Sequence, residues 1–91
     1  MVDHEKLARA VVMQAVVDTT APINPQRTGV SASRPQRHEQ DDARAFCLAT
    51  EGEWAEAREA WCDAAGLDPD WVHEVAWARI VAHLRGAAPN A

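Results

Sequence analysis

The sequence predicts an all-α fold of about four helices, with a helix-turn-helix-like C-terminal half and a flexible linker after the first helix. Three observations lead there. Apolar residues recur at three- and four-residue spacing instead of alternating. Much of the apolar content is alanine, the strongest helix former. Gly52, Gly66 and the pair Asp68-Pro69 fall where helices would stop and start. The 91 residues suffice for one small domain. That domain spans 1–91, with a basic Pro/Gly/Ser-containing linker over 19–38 and a helical core over 39–86.

The first helix is expected over 3–18. Asp3 can cap it, and Glu5 suits the positive end of its dipole. At 100° per residue, Leu7, Val11, Ala15, Ala8, Val12 and Val16 share one half of the cylinder, with Lys6 and Arg9 on the other. Residues 19–38 then break the pattern with Pro22, Pro25, Gly29 and Pro35. They carry Arg27, Arg34 and Arg37 without an acid. They read as a linker or as an arm that orders on a partner.

A short second helix follows over 40–50, with Ala43, Phe46, Cys47 and Thr50 on one face. A third is expected over 53–65, entered near Thr50 or Glu51 after the Gly52 interruption. Trp54, Ala57, Trp61, Ala64 and Ala65 form its apolar stripe, and Glu56, Glu59 and Asp63 form the opposite one. Gly66 stands where a left-handed C-cap belongs. The fourth helix starts at an Asp68 cap with Pro69 at its first position and Asp70 in its first turn. It should reach Leu84 or Arg85, with Gly86 as terminator and Ala87–Ala91 as a frayed tail.

That fourth helix carries two apolar stripes. Trp71, Val75, Ala78 and Ala82 lie on one side, and Trp77, Ile80 and Leu84 with His73 lie nearly opposite. Val72 and Ala76 fall between. A helix apolar on two sides is buried between layers or offers one face to a partner, and Trp71 and Trp77 are the candidate contacts. There is no tyrosine and one phenylalanine against four tryptophans, so the tryptophans must fill the core or build a binding surface.

Charge narrows the partner. The chain carries a net −5, and residues 39–66 hold eight acids against Arg44 and Arg58. An acidic body repels a phosphate backbone, which disfavours nucleic acid as a partner. The helix-turn-helix reading nevertheless supplies an alternative set of contacts to DNA. These are Trp71, His73, Arg79 and Arg85 on the fourth helix, and Arg27, Arg34 and Arg37 in the linker.

The chemistry of catalysis is missing. Cys47, Cys62, His73 and His83 lack metal-ligand spacing, no glycine loop cradles phosphate, and the acids of the third helix read as a solvated face. No catalytic residue, metal or cofactor is expected. The cysteines sit fifteen apart without a close pair, and the opening Met-Val-Asp-His-Glu has no leader character. A reduced, cytoplasmic protein without membrane contact is the expectation.

Two blocks carry a resemblance. Residues 10–18, AVVMQAVVD, look like the AVxxQAxxDA-like opening helix of small accessory or regulatory proteins encoded by phages and prophages of proteobacteria. Residues 61–73, WCDAAGLDPDWVH, are similar to their AGLDPxxV-like turn, although His73 stands where arginine is expected. Together the blocks cover about a quarter of the chain. The resemblance implies a mobile-element accessory protein. The leading expectation is therefore a non-enzymatic effector of a host or phage protein complex, either transcription machinery or a defence system, the latter anti-CRISPR-like. Its contacts would be Glu56, Glu59, Asp63, Trp71 and Trp77. The alternatives are a helix-turn-helix DNA-binding regulator that uses residues 68–79, as a monomer or a homodimer, and a small structural or assembly protein.

Overall fold

The computed structural model describes residues 3–23 and 34–87. They form four helices: α1 (His4–Asp18), α2 (Arg37–Leu48), α3 (Glu53–Ala65) and α4 (Pro69–Ala87). No strand occurs among the described residues. Arg27, the middle half of the expected linker (24–33) and the tail beyond Ala87 lie outside the described residues.

Local chemistry sets most helix ends. The Asp3 carboxylate accepts the Lys6 N–H at 3.0 Å, which satisfies a donor that α1 would otherwise leave unpaired. Gly66 adopts φ 68°, Gly66 N–H donates to the Asp63 carbonyl at 3.3 Å, and Leu67 N–H donates to the Cys62 carbonyl at 2.9 Å. That pair of bonds is the Schellman closure of a helix C-terminus. A Cβ added to Gly66 would also sit 2.9 Å from the Glu5 carboxylate. Asp68 caps α4, its side chain accepting the Asp70 N–H at 2.9 Å.

Other boundaries differ from the sequence reading. Gly52, at φ 85°, is itself the N-cap of α3, with Thr50 and Glu51 in the bend just before it. α2 begins at Arg37, inside the expected linker, after Gln36 as its cap. The linker is ordered at both described ends, with Thr19 and Pro35 buried. Gly86 does not terminate α4, which runs through it to Ala87. Glycine lowers helix stability without forbidding the conformation.

The core is built from small side chains. Val12, Cys47, Cys62, Ala65, Val72 and Ala76 are all fully buried, and Val12 and Val72 are the largest of these. Ala8, Val16 and Phe46 complete the cluster. On α4 the buried face is Val72 and Ala76, the strip between the two expected stripes, together with Ile80 from the Trp77 stripe. On α1 the expected apolar half splits: Ala8, Val12 and Val16 face inward, while Leu7 and Val11 are exposed.

With so little apolar volume, the helix C-termini are joined by polar side chains. Gln40 of α2 donates through Nε2 to the carbonyls of Asp18 (3.0 Å) and Ala21 (2.8 Å), and Arg44 Nε donates to the Thr19 carbonyl at 2.9 Å. These three bonds close the end of α1. Arg58 of α3, itself buried, donates through Nη1 to the carbonyls of Phe46 (3.1 Å), Cys47 (3.1 Å) and Ala49 (2.8 Å), closing α2. Nη1 carries two N–H groups for three acceptors, so one proton is shared. Arg9 of α1 donates to the Ala65 carbonyl from both Nε (3.2 Å) and Nη2 (3.1 Å), closing α3. Glu5 steadies Arg9 through a 2.8 Å ion pair. The caps therefore run in a cycle in which α2 closes α1, α3 closes α2 and α1 closes α3.

Candidate binding surfaces

All four tryptophans are exposed. Trp54 retains 42%, Trp61 44%, Trp71 43% and Trp77 57% of its accessible surface. The core contains none of them. On α4, Trp71 and Trp77 flank the buried strip on either side, so both aromatic rings meet solvent although Ile80 of the Trp77 stripe is buried and Val75 of the Trp71 stripe packs on the core. Leu84, on the Trp77 side, is also exposed.

On α3 the inward face is Arg58, Cys62 and Ala65. The expected apolar stripe is thus turned slightly outward, leaving Trp54 and Trp61 beside the core and not in it. Spaced seven residues apart, they stand about 10 Å apart along the helix. They form one wall of a solvent-facing groove of about 550 Å³ between α1, α2 and α3. The other walls are Val11 and Ala15 of α1 and Ala43 and Phe46 of α2. Three ionisable side chains line it, Asp18, Glu39 and Asp42, and every one is acidic. Asp18 accepts from Gln14 Nε2 at 2.9 Å, and Glu39 accepts from the Gln36 N–H at 3.4 Å, so both carboxylates are held in place.

The acid face expected from the sequence is present as a surface: Glu56, Glu59 and Asp63 are all exposed. At 100° per residue they lie on the opposite side of α3 from Trp54 and Trp61. They therefore do not join the groove, and the acids that do come from α1 and α2. Sequence reasoning missed the groove because its residues lie on three helices. The signal that could have found it is the weakness of Trp54 and Trp61 as core residues beside alanines and cysteines too small to match them.

The alternative nucleic-acid residues are scattered. Arg79 donates from Nε to Thr20 Oγ1 at 2.8 Å, which ties α4 to the end of α1. His73 is half-buried, while Arg34, Arg37 and Arg85 are exposed. The first turns of α4 present Asp68, Asp70 and Glu74 to solvent beside Trp71.

Cys47 and Cys62 are free thiols inside the core. Burial pushes the Cys47 thiol up to about 11, against the opposing pull of the Arg58 charge. Burial also raises Cys62. Both are held in the un-ionised, poorly nucleophilic form at neutral pH. Among the described residues no group of three or more His, Cys, Asp or Glu side chains could hold a metal ion. No described helix is long and apolar enough to cross a membrane.

No family model matches this chain, and no curated protein or solved structure is significantly similar to it.

Proposed function

We propose that this protein acts by binding, as a non-enzymatic phage-type effector that docks on a protein complex of its host. One observation carries the reading. A chain of 91 residues leaves four tryptophans more than 40% exposed and builds its core mostly from alanine, valine and cysteine, with Phe46 and Ile80. Tryptophan is the costliest apolar side chain to leave in water and the one most enriched at the energetic centres of protein interfaces. The phage-type part of the reading draws on the resemblance of residues 10–18 and 61–73 to phage and prophage accessory proteins. Net charge −5 and the acidic first turns of α4 favour a basic protein surface over a phosphate backbone. Transcription machinery and nucleic-acid-guided defence complexes both carry such surfaces.

The test is affinity capture from a bacterial host lysate with mass spectrometry, paired with a duplex-DNA mobility shift at low salt. Stoichiometric capture of one complex, weakened when tryptophans are replaced by alanine and without a DNA shift, is the expected result. A salt-sensitive DNA shift with no captured protein would overturn the reading in favour of a DNA-binding regulator.

A further inference from the structure

The groove between α1, α2 and α3 has a direction. Gln40 holds the start of α2 against the end of α1 through the Asp18 and Ala21 carbonyls. Asp18, Glu39 and Asp42 are therefore gathered at one end. Phe46 lies one turn further along α2, and Val11 lies seven residues back along α1, about 10 Å from Asp18. Exposed Leu7 continues the Val11 side by another turn. The site thus has a negative end and an apolar end at Val11, about two helical turns apart, with Trp54 and Trp61 spread along its length.

We propose that this groove receives an amphipathic basic helix of a partner protein, with its Arg or Lys residues at the Asp18–Glu39–Asp42 end and its aliphatic residues against Val11, Phe46, Trp54 and Trp61. The inference rests on the binding reading above and adds the site, the partner's chemistry and its polarity. Helix-in-groove recognition needs an apolar trough with anchor positions at i, i+3 or i+4, and i+7, which matches a two-turn footprint. Tryptophan faces attract the cationic heads of Arg and Lys while packing on their methylenes. A nucleic acid is repelled by the three carboxylates. A second copy of this chain is disfavoured by its net charge of −5, although Arg34, Arg37 and Arg85 are exposed, so a homodimer is one of the outcomes the experiment reads.

The experiment selects a displayed library of helical 15-residue peptides on the immobilised full-length protein, then titrates the recovered peptides by tryptophan fluorescence. Recovered sequences should carry basic residues toward one end and Leu, Ile or Phe at helical spacing toward the other. Trp61→Ala should weaken the best peptide about 30-fold, the scale of a hot-spot loss. Asp42→Lys should weaken it about tenfold, an effect that salt reduces. Leu84→Ala on α4 should leave affinity unchanged, and circular dichroism should confirm that each variant is folded. Acidic or uncharged binders, affinity indifferent to Asp42→Lys, a concentration-dependent homodimer that Trp61→Ala abolishes, or no binders at all would each overturn the proposal. Should lysate capture survive the groove variants but fail in Trp71→Ala or Trp77→Ala, this inference falls and the binding reading stands.

Discussion

Within three residues on α3 the molecule buries an arginine and leaves a tryptophan in water. Arg58 sits under the end of α2 with its guanidinium on three carbonyls. Trp61, on the adjacent face, is 44% exposed. Hydrophobicity alone would turn the helix the other way. The difference teaches that the carbonyls at the end of a buried helix must be met, and that few side chains can do it. Alanine and cysteine fill the remaining space, so the fold does not require the tryptophan rings. The helix junctions thus use charge for folding, and the groove retains aromatic surface that folding does not consume.

The comparison breaks most visibly at Arg58. Arg58→Ala should leave buried carbonyls unpaired and cost roughly 3 kcal/mol, given 1–3 kcal/mol for each buried polar group stranded. Urea denaturation reads this directly, and Arg58→Lys should fall between the two because an ammonium keeps the charge and the donors but sits on a shorter side chain than Nη1. A loss below about 1 kcal/mol would show that the capping cycle is incidental, since a single ordinary hydrogen bond is worth that much.

The core between the two regions gives a smaller effect. Cys47 is held protonated in the folded chain, raised from 9.0 to about 11. Its contribution to stability is therefore complete below pH 9 and is lost as pH rises toward 11, where the unfolded chain has already released the proton. Cys47→Ala should flatten this alkaline loss of stability. Thiol reagents should label the native protein slowly at pH 8 and promptly in denaturant.

The smallest effect is expected in the groove. Trp54→Ala and Trp61→Ala should cost about 1–2 kcal/mol, less than a core tryptophan because each ring keeps more than 40% of its surface in solvent. Thermal unfolding checks this, and a cost of 3 kcal/mol or more, the range of buried tryptophan truncations, would place the rings in the core instead.

Much of the architecture was legible in the sequence. Asp3, Gly66 and Asp68 act where local rules put them, and α3 spans the residues its periodicity predicts. What local rules could not reach was rotation about each helix axis. Val72 and Ala76 look minor between two tryptophan stripes, yet they are the buried strip, because α4 packs by its smallest side chains. Arg9 reads as a solvent-side cation from periodicity alone, and its carbonyl partner lies 56 residues away. The start of α2 was misplaced because Arg37 and His38 offer no apolar signal, and Gln36 is a weak cap by residue type. The Glu56, Glu59 and Asp63 face was readable as a surface. The groove was not, since it exists only after three helices have been assembled.

The capping cycle also bears on recognition. Since α1, α2 and α3 each hold the end of another, none can loosen at its C-terminus without freeing a second. These three helices supply every wall of the groove. A partner therefore meets a trough whose backbone is already fixed, and the ordering cost left to binding is confined to a few side-chain rotamers, about 0.5–1.5 kcal/mol each. For a chain this short, a closed circuit of three polar joints supplies the preorganisation that larger proteins obtain from the bulk of their cores.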